Sequence, residues 1–129
     1  MNPALSILIV DDNAKMRSMI ANIVKQKTSK IFECSDGIDA LGEYSLHQPD
    51  WVLMDVRMNK MDGLTATGLI HKHFPDAKVM IVTQDDTMEM REAAMQVGAK
   101  AFVAKTNLLS ILDNLKREED SQTLRGRAA

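Results

Sequence analysis

Five polar side chains each follow an apolar run of the sequence, and their chemistry suits a metal ion. They are Asp11, Asp12, Asp55, Thr83 and Lys105. Apolar runs of this kind predict buried strands of a parallel sheet, and the carboxyl ends of such strands open into one crevice. Three carboxylates held close together repel one another, and a hard divalent cation relieves that repulsion. Because carboxylate oxygens suit Mg²⁺, the pattern predicts a magnesium site with the lysine ammonium beside it.

A site of this composition could transfer a phosphoryl group to a carboxylate. Asp55 follows the central apolar run and is the best-placed nucleophile, while Lys105 and Thr83 could hold phosphoryl oxygens. Each residue also has a simpler explanation. Asp12 or Asn13 could only cap the next helix. Thr83 could reflect strand propensity alone, and Lys105 could be a solvated strand end. The joint position of these residues on four strand ends favours the chemical interpretation.

Apolar runs alternate along the chain with segments of helical periodicity, and this alternation predicts the fold. Strands are predicted at Leu5–Val10, Ile31–Cys34, Trp51–Asp55, Val79–Val82 and Ala101–Val103, the second being a short one. Helices are predicted around Met16–Val24, Ile38–Leu46, Asp62–Phe74, Asp86–Val97 and Leu108–Leu115. Five strands alternating with five helices indicate an α/β fold, a doubly wound five-stranded parallel sheet with right-handed crossovers and helices on both faces.

Composition narrows the functional classes. A chain of 129 residues, 45% hydrophobic and 26% charged, is predicted to form one globular domain, and its net charge of -2 argues against direct nucleic-acid binding. The single cysteine, Cys34, excludes an internal disulfide and is expected to pack as a small hydrophobe. We find no signal peptide and no apolar stretch near the ~18 residues that span a bilayer, so a cytoplasmic location without membrane contact is expected.

Several motifs resemble the receiver domain of response regulators in two-component signalling. The matching stretches, which together cover the chain from Ser6 to about Leu115, are Ile-Leu-Ile-Val-Asp11-Asp12-Asn13, Val-Leu-Met-Asp55-Val-Arg-Met, Met61-Asp62-Gly63, Ile-Val-Thr83 and Gly98-Ala-Lys-Ala-Phe102-Val-Ala-Lys105. The resemblance implies a flavodoxin-like (βα)5 fold with strand order 2-1-3-4-5. Residues 118–129 mix charges with small residues and have little to bury, so they are predicted to be a polar tail or the start of a linker, with the receiver domain at residues 1–117.

The same resemblance implies roles for individual residues. Asp55 would be the phosphoacceptor and, with Asp12 and the backbone carbonyl of Arg57, a direct Mg²⁺ ligand, whereas Asp11 would act largely through water. Thr83 and Phe102 would form the switch pair, in which the hydroxyl moves to the phosphoryl group and the ring turns inward. The chain would be a signalling phosphoacceptor rather than an enzyme in its own right, promoting only its own phosphotransfer and dephosphorylation.

The implied partners are a sensor histidine kinase or phosphotransfer protein and a downstream output protein or domain. The output face would comprise the fourth helix, fifth strand and fifth helix, where homodimerisation is also possible. The sequence does not specify the cognate kinase, the stimulus or the output.

The chain departs from the family pattern near the site. Asn59 and Thr106 occupy positions where proline is common, and a cis bond before Thr106 would cost about 3 kcal/mol without proline. Arg57 and Asp85 flank the site with opposite charges. We hypothesise that they pair across the opening and hinder an attacking water.

Three other functional classes share some features of this sequence. A hydrolase of the haloacid dehalogenase type would need a second aspartate where Arg57 stands. A nucleotide- or flavin-binding domain would need a Gly-rich loop where Asp11-Asp12-Asn13 stands. The more serious rival is a receiver-like docking module that is never phosphorylated.

Overall fold

The predicted apolar runs form five parallel strands in the computed structural model, which describes residues 5–116. The strands are β1 (Leu5–Val10), β2 (Thr28–Cys34), β3 (Trp51–Met54), β4 (Val79–Thr83) and β5 (Ala101–Ala104). They lie in the order β2-β1-β3-β4-β5, and every neighbouring pair is parallel. The predicted fold class and strand order are therefore confirmed.

Four helices connect successive strands, and a fifth helix follows the last strand. They are α1 (Ala14–Val24), α2 (Gly37–His47), α3 (Gly63–His73), α4 (Met88–Gln96) and α5 (residues 110–116), with 3-10 turns at Lys25–Lys27 and Lys105–Asn107. Within the described residues, none of these helices is long and apolar enough to cross a bilayer. The predicted polar tail, residues 118–129, lies outside the described part of the chain.

Two apolar layers cover the central strands. Every residue of β3 and β4 is buried, as expected of parallel strands between helices. One face packs Leu8, Val10 and Ile81 with residues of α2, α3 and α4. The other face packs Ile7 and Val82 with residues of α1 and α5. Because successive side chains point to opposite faces, each strand contributes to both layers.

The structure corrects the predicted length of the second strand. β2 spans seven residues and begins at Thr28, three residues before the predicted start, so it is not short. Ser29 and Lys30 are exposed polar residues, which an apolar run does not reveal. Lys30 still joins the sheet because backbone pairing with β1 does not depend on side-chain polarity, and Ser29 lies at the irregularity between the pairs Leu5–Thr28 and Ser6–Lys30.

Two helix starts are also corrected. α4 begins at Met88 rather than Asp86, because the Thr87 hydroxyl accepts a hydrogen bond from the Met90 N–H and caps the helix. α5 begins at residue 110 rather than at Leu108, because Lys105–Asn107 forms a 3-10 turn first. Leu109 consequently falls outside the buried stripe and is 67% exposed.

Cys34 is partly buried and packs against the apolar layer that contains residues of α2, α3 and α4, as expected for a small hydrophobe. Burial raises the pKa of its thiol to about 11, so the thiol stays protonated near neutral pH.

Candidate functional site

The carboxyl edge of the sheet brings together all five side chains singled out by the strand-end pattern. They line a cavity of about 190 Å³ whose residues are Asp11, Asp12, Asn13, Asp55, Arg57, Thr83, Gln84 and Lys105. Strand register produces this convergence: Val10 lies opposite Met54, and Thr83 lies opposite Ala104. Met54 in turn lies opposite Ile81, so β4 and β5 extend two residues beyond β1 and β3, and the ends of all four strands meet at the same edge of the sheet.

Three of the side chains that line the cavity are carboxylates. Asp11, Asp12 and Asp55 each present an oxygen within 4.8 Å of the others. Asp11 and Asp55 are 1% and 6% exposed, whereas Asp12 is exposed. Asn13, not Asp12, caps α1 by accepting a hydrogen bond from the Met16 N–H at 3.0 Å. The carboxylate of Asp12 is thus not used for helix capping.

Lys105 supplies the positive charge of the site. Its Nζ lies 2.9 Å from Asp11 Oδ2 and 3.2 Å from Asp55 Oδ1, and its side chain is 11% exposed. Burial lowers the pKa of Lys105, but the contacts with Asp11 and the charge of Asp55 outweigh burial and raise it overall. The ammonium therefore stays protonated between the two buried carboxylates.

The ionised carboxylate of Asp55 has too few positive or hydrogen-bonding partners to offset its burial. Burial and the Asp11 carboxylate raise the pKa of Asp55, against the opposing effects of Lys105 and the Val56 N–H. The ionised form of Asp55 is consequently disfavoured, which is the electrostatic state that a cation relieves.

The donor set fits Mg²⁺. Asp11 Oδ2 is buried and, despite the nearby ammonium, receives no well-directed hydrogen bond from the described residues. The Lys105 ammonium contacts this oxygen at 2.9 Å, but one ammonium cannot balance three neighbouring carboxylates. An all-oxygen cluster with an exposed member facing solvent is the coordination that Mg²⁺ prefers, since this ion keeps several waters. Asp11, Asp12 and Asp55 are therefore the residues that would hold it.

The loop after Asp55 is closed on itself. The Val56 N–H donates to Asp55 Oδ1 at 2.9 Å, and the Gly63 N–H donates to the Val56 carbonyl at 2.8 Å. A Cβ at Gly63 would lie 1.8 Å from the Asp55 carbonyl oxygen, so only glycine permits this approach. The start of α3 therefore packs directly against the backbone of Asp55. The carbonyl of Arg57 as a metal ligand stays a prediction.

Thr83 and Phe102 occupy different environments. Thr83 is 1% exposed, and its hydroxyl accepts a hydrogen bond from the Asp85 N–H at 3.2 Å. Phe102 is partly buried on β5, outside the cavity lining, and the Arg91 guanidinium lies 4.6 Å from its ring centroid. The ring is therefore not enclosed in the static core, while its role as a switch stays a prediction.

Arg57 and Asp85 do pair across the opening. Arg57 Nη2 lies 3.3 Å from Asp85 Oδ2, and the arginine side chain is 77% exposed. An ion pair this exposed is weak on its own. Arg57 also lines the cavity that contains Asp55, so one member of the pair lies beside the predicted acceptor.

Asp36 has a role that its sequence context did not reveal. Ser35-Asp36-Gly37 indicates only a turn, yet the Asp36 carboxylate is 7% exposed and accepts hydrogen bonds from the backbone of Lys60 and Met61. Those donors lie 24 and 25 residues away, so no local signal could have indicated them.

The fold and site define a doubly wound α/β protein with an acidic, oxygen-rich site at the carboxyl edge of its sheet. A family model, the response regulator receiver domain, matches residues 7–116, and the chain belongs to that family. Receiver domains act in two-component and chemotaxis signalling, and phosphorylation and Mg²⁺ are typical of them.

Relatives and solved structures agree with this assignment. The chain is 39% identical over 102 residues to the chemotaxis protein CheY of Listeria monocytogenes, covering 78% of this chain and 86% of that protein. It superposes on a CheY-like receiver domain protein from Methanospirillum hungatei with a TM-score of 0.84 at 22% identity, covering 95% and 99% of the two chains. It also matches a CheX-CheY-BeF3-Mg²⁺ complex from Borrelia burgdorferi with a TM-score of 0.75 at 27% identity, covering 78% and 77%.

Proposed function

We propose that this receiver domain accepts a phosphoryl group on Asp55 from a histidine kinase or phosphotransfer protein, with Mg²⁺ held by the acidic cluster. The observation that carries the proposal is the buried Lys105 ammonium between Asp11 and Asp55, beside an Asp11 oxygen that lacks a hydrogen bond. Similarity to the CheX-CheY-BeF3-Mg²⁺ complex from Borrelia burgdorferi supports the proposal.

The transfer is a displacement at phosphorus. An Asp55 carboxylate oxygen forms the new bond to phosphorus as the bond between phosphorus and the donor imidazole nitrogen breaks, and the imidazole leaves with that electron pair. Lys105 already lies at Asp55 Oδ1, so its charge can follow the phosphoryl oxygens without a large movement. Bound Mg²⁺ would add positive charge against the negative charge of the phosphoryl oxygens.

The signal would then pass from Thr83 to the α4-β5-α5 face. The Thr83 hydroxyl accepts a hydrogen bond from the Asp85 N–H and keeps its own hydrogen to donate to a phosphoryl oxygen, so its movement toward that oxygen would shift the start of the β4–α4 loop. Phe102 could turn only after its contact with Arg91 is broken. Either change would bias the α4-β5-α5 face between two arrangements, which an output protein, an output domain or a second copy of this chain could distinguish.

Arg57 is proposed to lengthen the phosphorylated state. Arg57 lines the cavity that contains Asp55, and its pairing with Asp85 would hold the arginine side chain near the path of a hydrolytic water. An Arg57→Ala variant should therefore lose its phosphoryl group faster than the parent in a time course of intact mass. Equal lifetimes would contradict this role.

The domain boundary and location are also proposals. We place the receiver at residues 1–117 and a polar tail or linker at 118–129, in a cytoplasmic protein whose own partners are proteins rather than nucleic acid or membrane. The charge of -2 and the absence of a membrane-spanning helix among the described residues are compatible with this.

Incubation with acetyl phosphate and Mg²⁺, followed by intact-mass measurement, tests the central proposal. The parent should gain one phosphoryl group, and Asp55→Asn should gain none. Asp50→Asn is the matched control, because Asp50 is a carboxylate that contacts Ser6 at the opposite edge of the sheet. If the parent gains no mass, the chain is instead a docking module that works without phosphorylation.

A further inference from the structure

A buried carboxylate outside the acidic cluster links α2 to the loop that follows the acceptor. Asp36 Oδ1 accepts hydrogen bonds from the Ile38 and Met61 N–H groups, both at 3.0 Å, and Oδ2 accepts from the Lys60 N–H at 2.8 Å. The bond to Ile38 caps α2, but the other two are unrelated to helix capping. They hold the end of the β3–α3 loop, residues 55–62, through the backbone of Lys60 and Met61.

The packing around Asp36 makes this attachment tight. A Cβ at Gly37 would lie 2.5 Å from the Met61 carbonyl oxygen, so the start of α2 and the end of the loop are in direct backbone contact. At its other end, the loop is closed by the Gly63 N–H bond to the Val56 carbonyl. The segment containing Arg57 and Asn59 is therefore fixed at both ends, although its position 59 lacks the proline common in the family.

We infer that Asp36 is a positioning residue for the magnesium site, since it fixes the loop that continues from Asp55. The inference rests on the proposed function, because it concerns Mg²⁺ binding and phosphorylation at that same site. Asp36 does not contact the acidic cluster. It acts through the backbone of Lys60 and Met61, which lie in the loop containing the predicted carbonyl ligand, Arg57.

Carboxylate chemistry is required here. Three N–H groups converge on the two Asp36 oxygens, and a carboxylate only accepts hydrogen bonds. An asparagine keeps one acceptor oxygen for Ile38 and Met61, but its amide group would face the Lys60 N–H as a second donor. Asp36→Asn should therefore release Lys60 selectively, whereas Asp36→Ala should release both loop amides.

The test compares Asp36→Asn, Asp36→Ala and the control Asp50→Asn with the parent. Asp50 also binds a backbone N–H across the sheet, that of Ser6 at 2.8 Å, but at the edge remote from the site. Mg²⁺ affinity is measured by titration calorimetry, and exchange of the Lys60 and Met61 amide hydrogens is followed by NMR, at a temperature where all four proteins are folded by circular dichroism.

We expect faster exchange at Lys60 in Asp36→Asn and at both amides in Asp36→Ala. The Mg²⁺ dissociation constant should rise about tenfold, the usual effect of removing a group that orients a ligand. High Mg²⁺ should restore most of the phosphorylation rate with acetyl phosphate. Asp50→Asn should match the parent within about twofold in affinity and in both amides, because it leaves the outer-shell contacts intact. If Asp36→Ala does not fold, Asp36→Asn alone decides the result.

Two results would overturn the inference. If the loop amides exchange faster while the Mg²⁺ dissociation constant is unchanged in a parent that is phosphorylated normally, Asp36 is only structural, and the proposed function stands. If the parent itself neither binds Mg²⁺ nor gains a phosphoryl group, the proposed function fails and the inference fails with it.

Discussion

Two carboxylates with similarly little exposed surface, Asp36 at the start of α2 and Asp55 at the end of β3, show opposite electrostatics. They are 7% and 6% exposed. Hydrogen bonds from the backbone of Ile38, Lys60 and Met61 lower the pKa of Asp36. Burial and the neighbouring Asp11 raise the pKa of Asp55. A small exposed surface therefore does not by itself determine whether a carboxylate is structural or chemically available.

The difference lies in how each charge is satisfied. Asp36 has three backbone N–H donors for its two oxygens. Asp55 has one backbone donor, Val56, and shares the single ammonium of Lys105 with Asp11. A satisfied carboxylate stabilises the fold, whereas one with surplus negative charge can receive a cation or an electrophile.

Removing the shared cation should produce the largest effect. Lys105→Met leaves Asp11 and Asp55 buried without a positive partner, so the free energy of unfolding should fall by about 3–5 kcal/mol in Mg²⁺-free urea titrations. Added Mg²⁺ should recover part of this loss. Lys100→Met, an exposed lysine just before β5, is the control and should change stability by less than about 0.5 kcal/mol. Equal effects of the two substitutions would show that the Asp11–Asp55 pair carries no surplus charge.

Displacing the backbone at Asp55 should have the next largest effect. A Gly63→Ala side chain would meet the Asp55 carbonyl oxygen at 1.8 Å, so overpacking should destabilise the fold by about 1–3 kcal/mol and weaken Mg²⁺ binding. Gly42 is the matched glycine: it lies within α2, and its added Cβ meets nothing within 4 Å. Gly42→Ala should stabilise the fold by about 0.5–1 kcal/mol. Thermal unfolding with Mg²⁺ titration of both variants decides whether the close approach at Gly63 positions the site.

Neutralising the acceptor should stabilise the protein. The pKa of Asp55 is raised in the folded state, so its ionisation opposes folding once the pH exceeds the ordinary value of 3.8. Asp55→Asn should therefore increase the free energy of unfolding at neutral pH by roughly 0.5–1 kcal/mol without Mg²⁺, within the range of single substitutions. The gain should vanish below pH 3.8, where the carboxyl is protonated in both states. A destabilised Asp55→Asn at neutral pH would show that Lys105 already satisfies this carboxylate.

The smallest effect is the opposite pH slope at Asp36. Its lowered pKa contributes stability that is present above the ordinary value of 3.8 and is lost as the pH falls through the lower folded-state pKa. Asp36→Asn should therefore flatten the acid limb of the stability curve below pH 3.8. Urea unfolding of the parent and of Asp36→Asn at stepped acidic pH measures this. Parallel curves for the two proteins would mean that the three N–H donors do not favour the ionised form.

Most of the fold was predictable because it depends on local patterns. Uninterrupted apolar runs such as Trp51 to Met54 identify strands buried on both faces, and helical periodicity identifies the connecting helices. The prediction was wrong for the first half of β2, because Lys30 joins the sheet through backbone pairing and Ser29 lies at an irregularity in that pairing, which an apolar run does not reveal. It was also wrong for the starts of α4 and α5, where a capping threonine and a 3-10 turn move the first helical residue.

The composition of the site was also predictable, because parallel strands bring their carboxyl ends to one edge whatever lies between them. The residue types at the strand ends of the sequence therefore predict that Asp11, Asp55 and Lys105 are neighbours. The Arg57–Asp85 pairing was predicted from opposite charges beside the same site, and the structure places the two side chains 3.3 Å apart.

By itself, then, the sequence determined the order of elements and the kinds of side chain that meet at the carboxyl edge. Only the tertiary structure decided how each charge is satisfied: that Asn13 rather than Asp12 caps α1, that Lys105 contacts both Asp11 and Asp55, and that Asp36 holds a loop 24 residues away. The physical reason is that apolar periodicity is a property of neighbouring residues. The energy of a buried charge depends on donors that folding brings from distant parts of the chain.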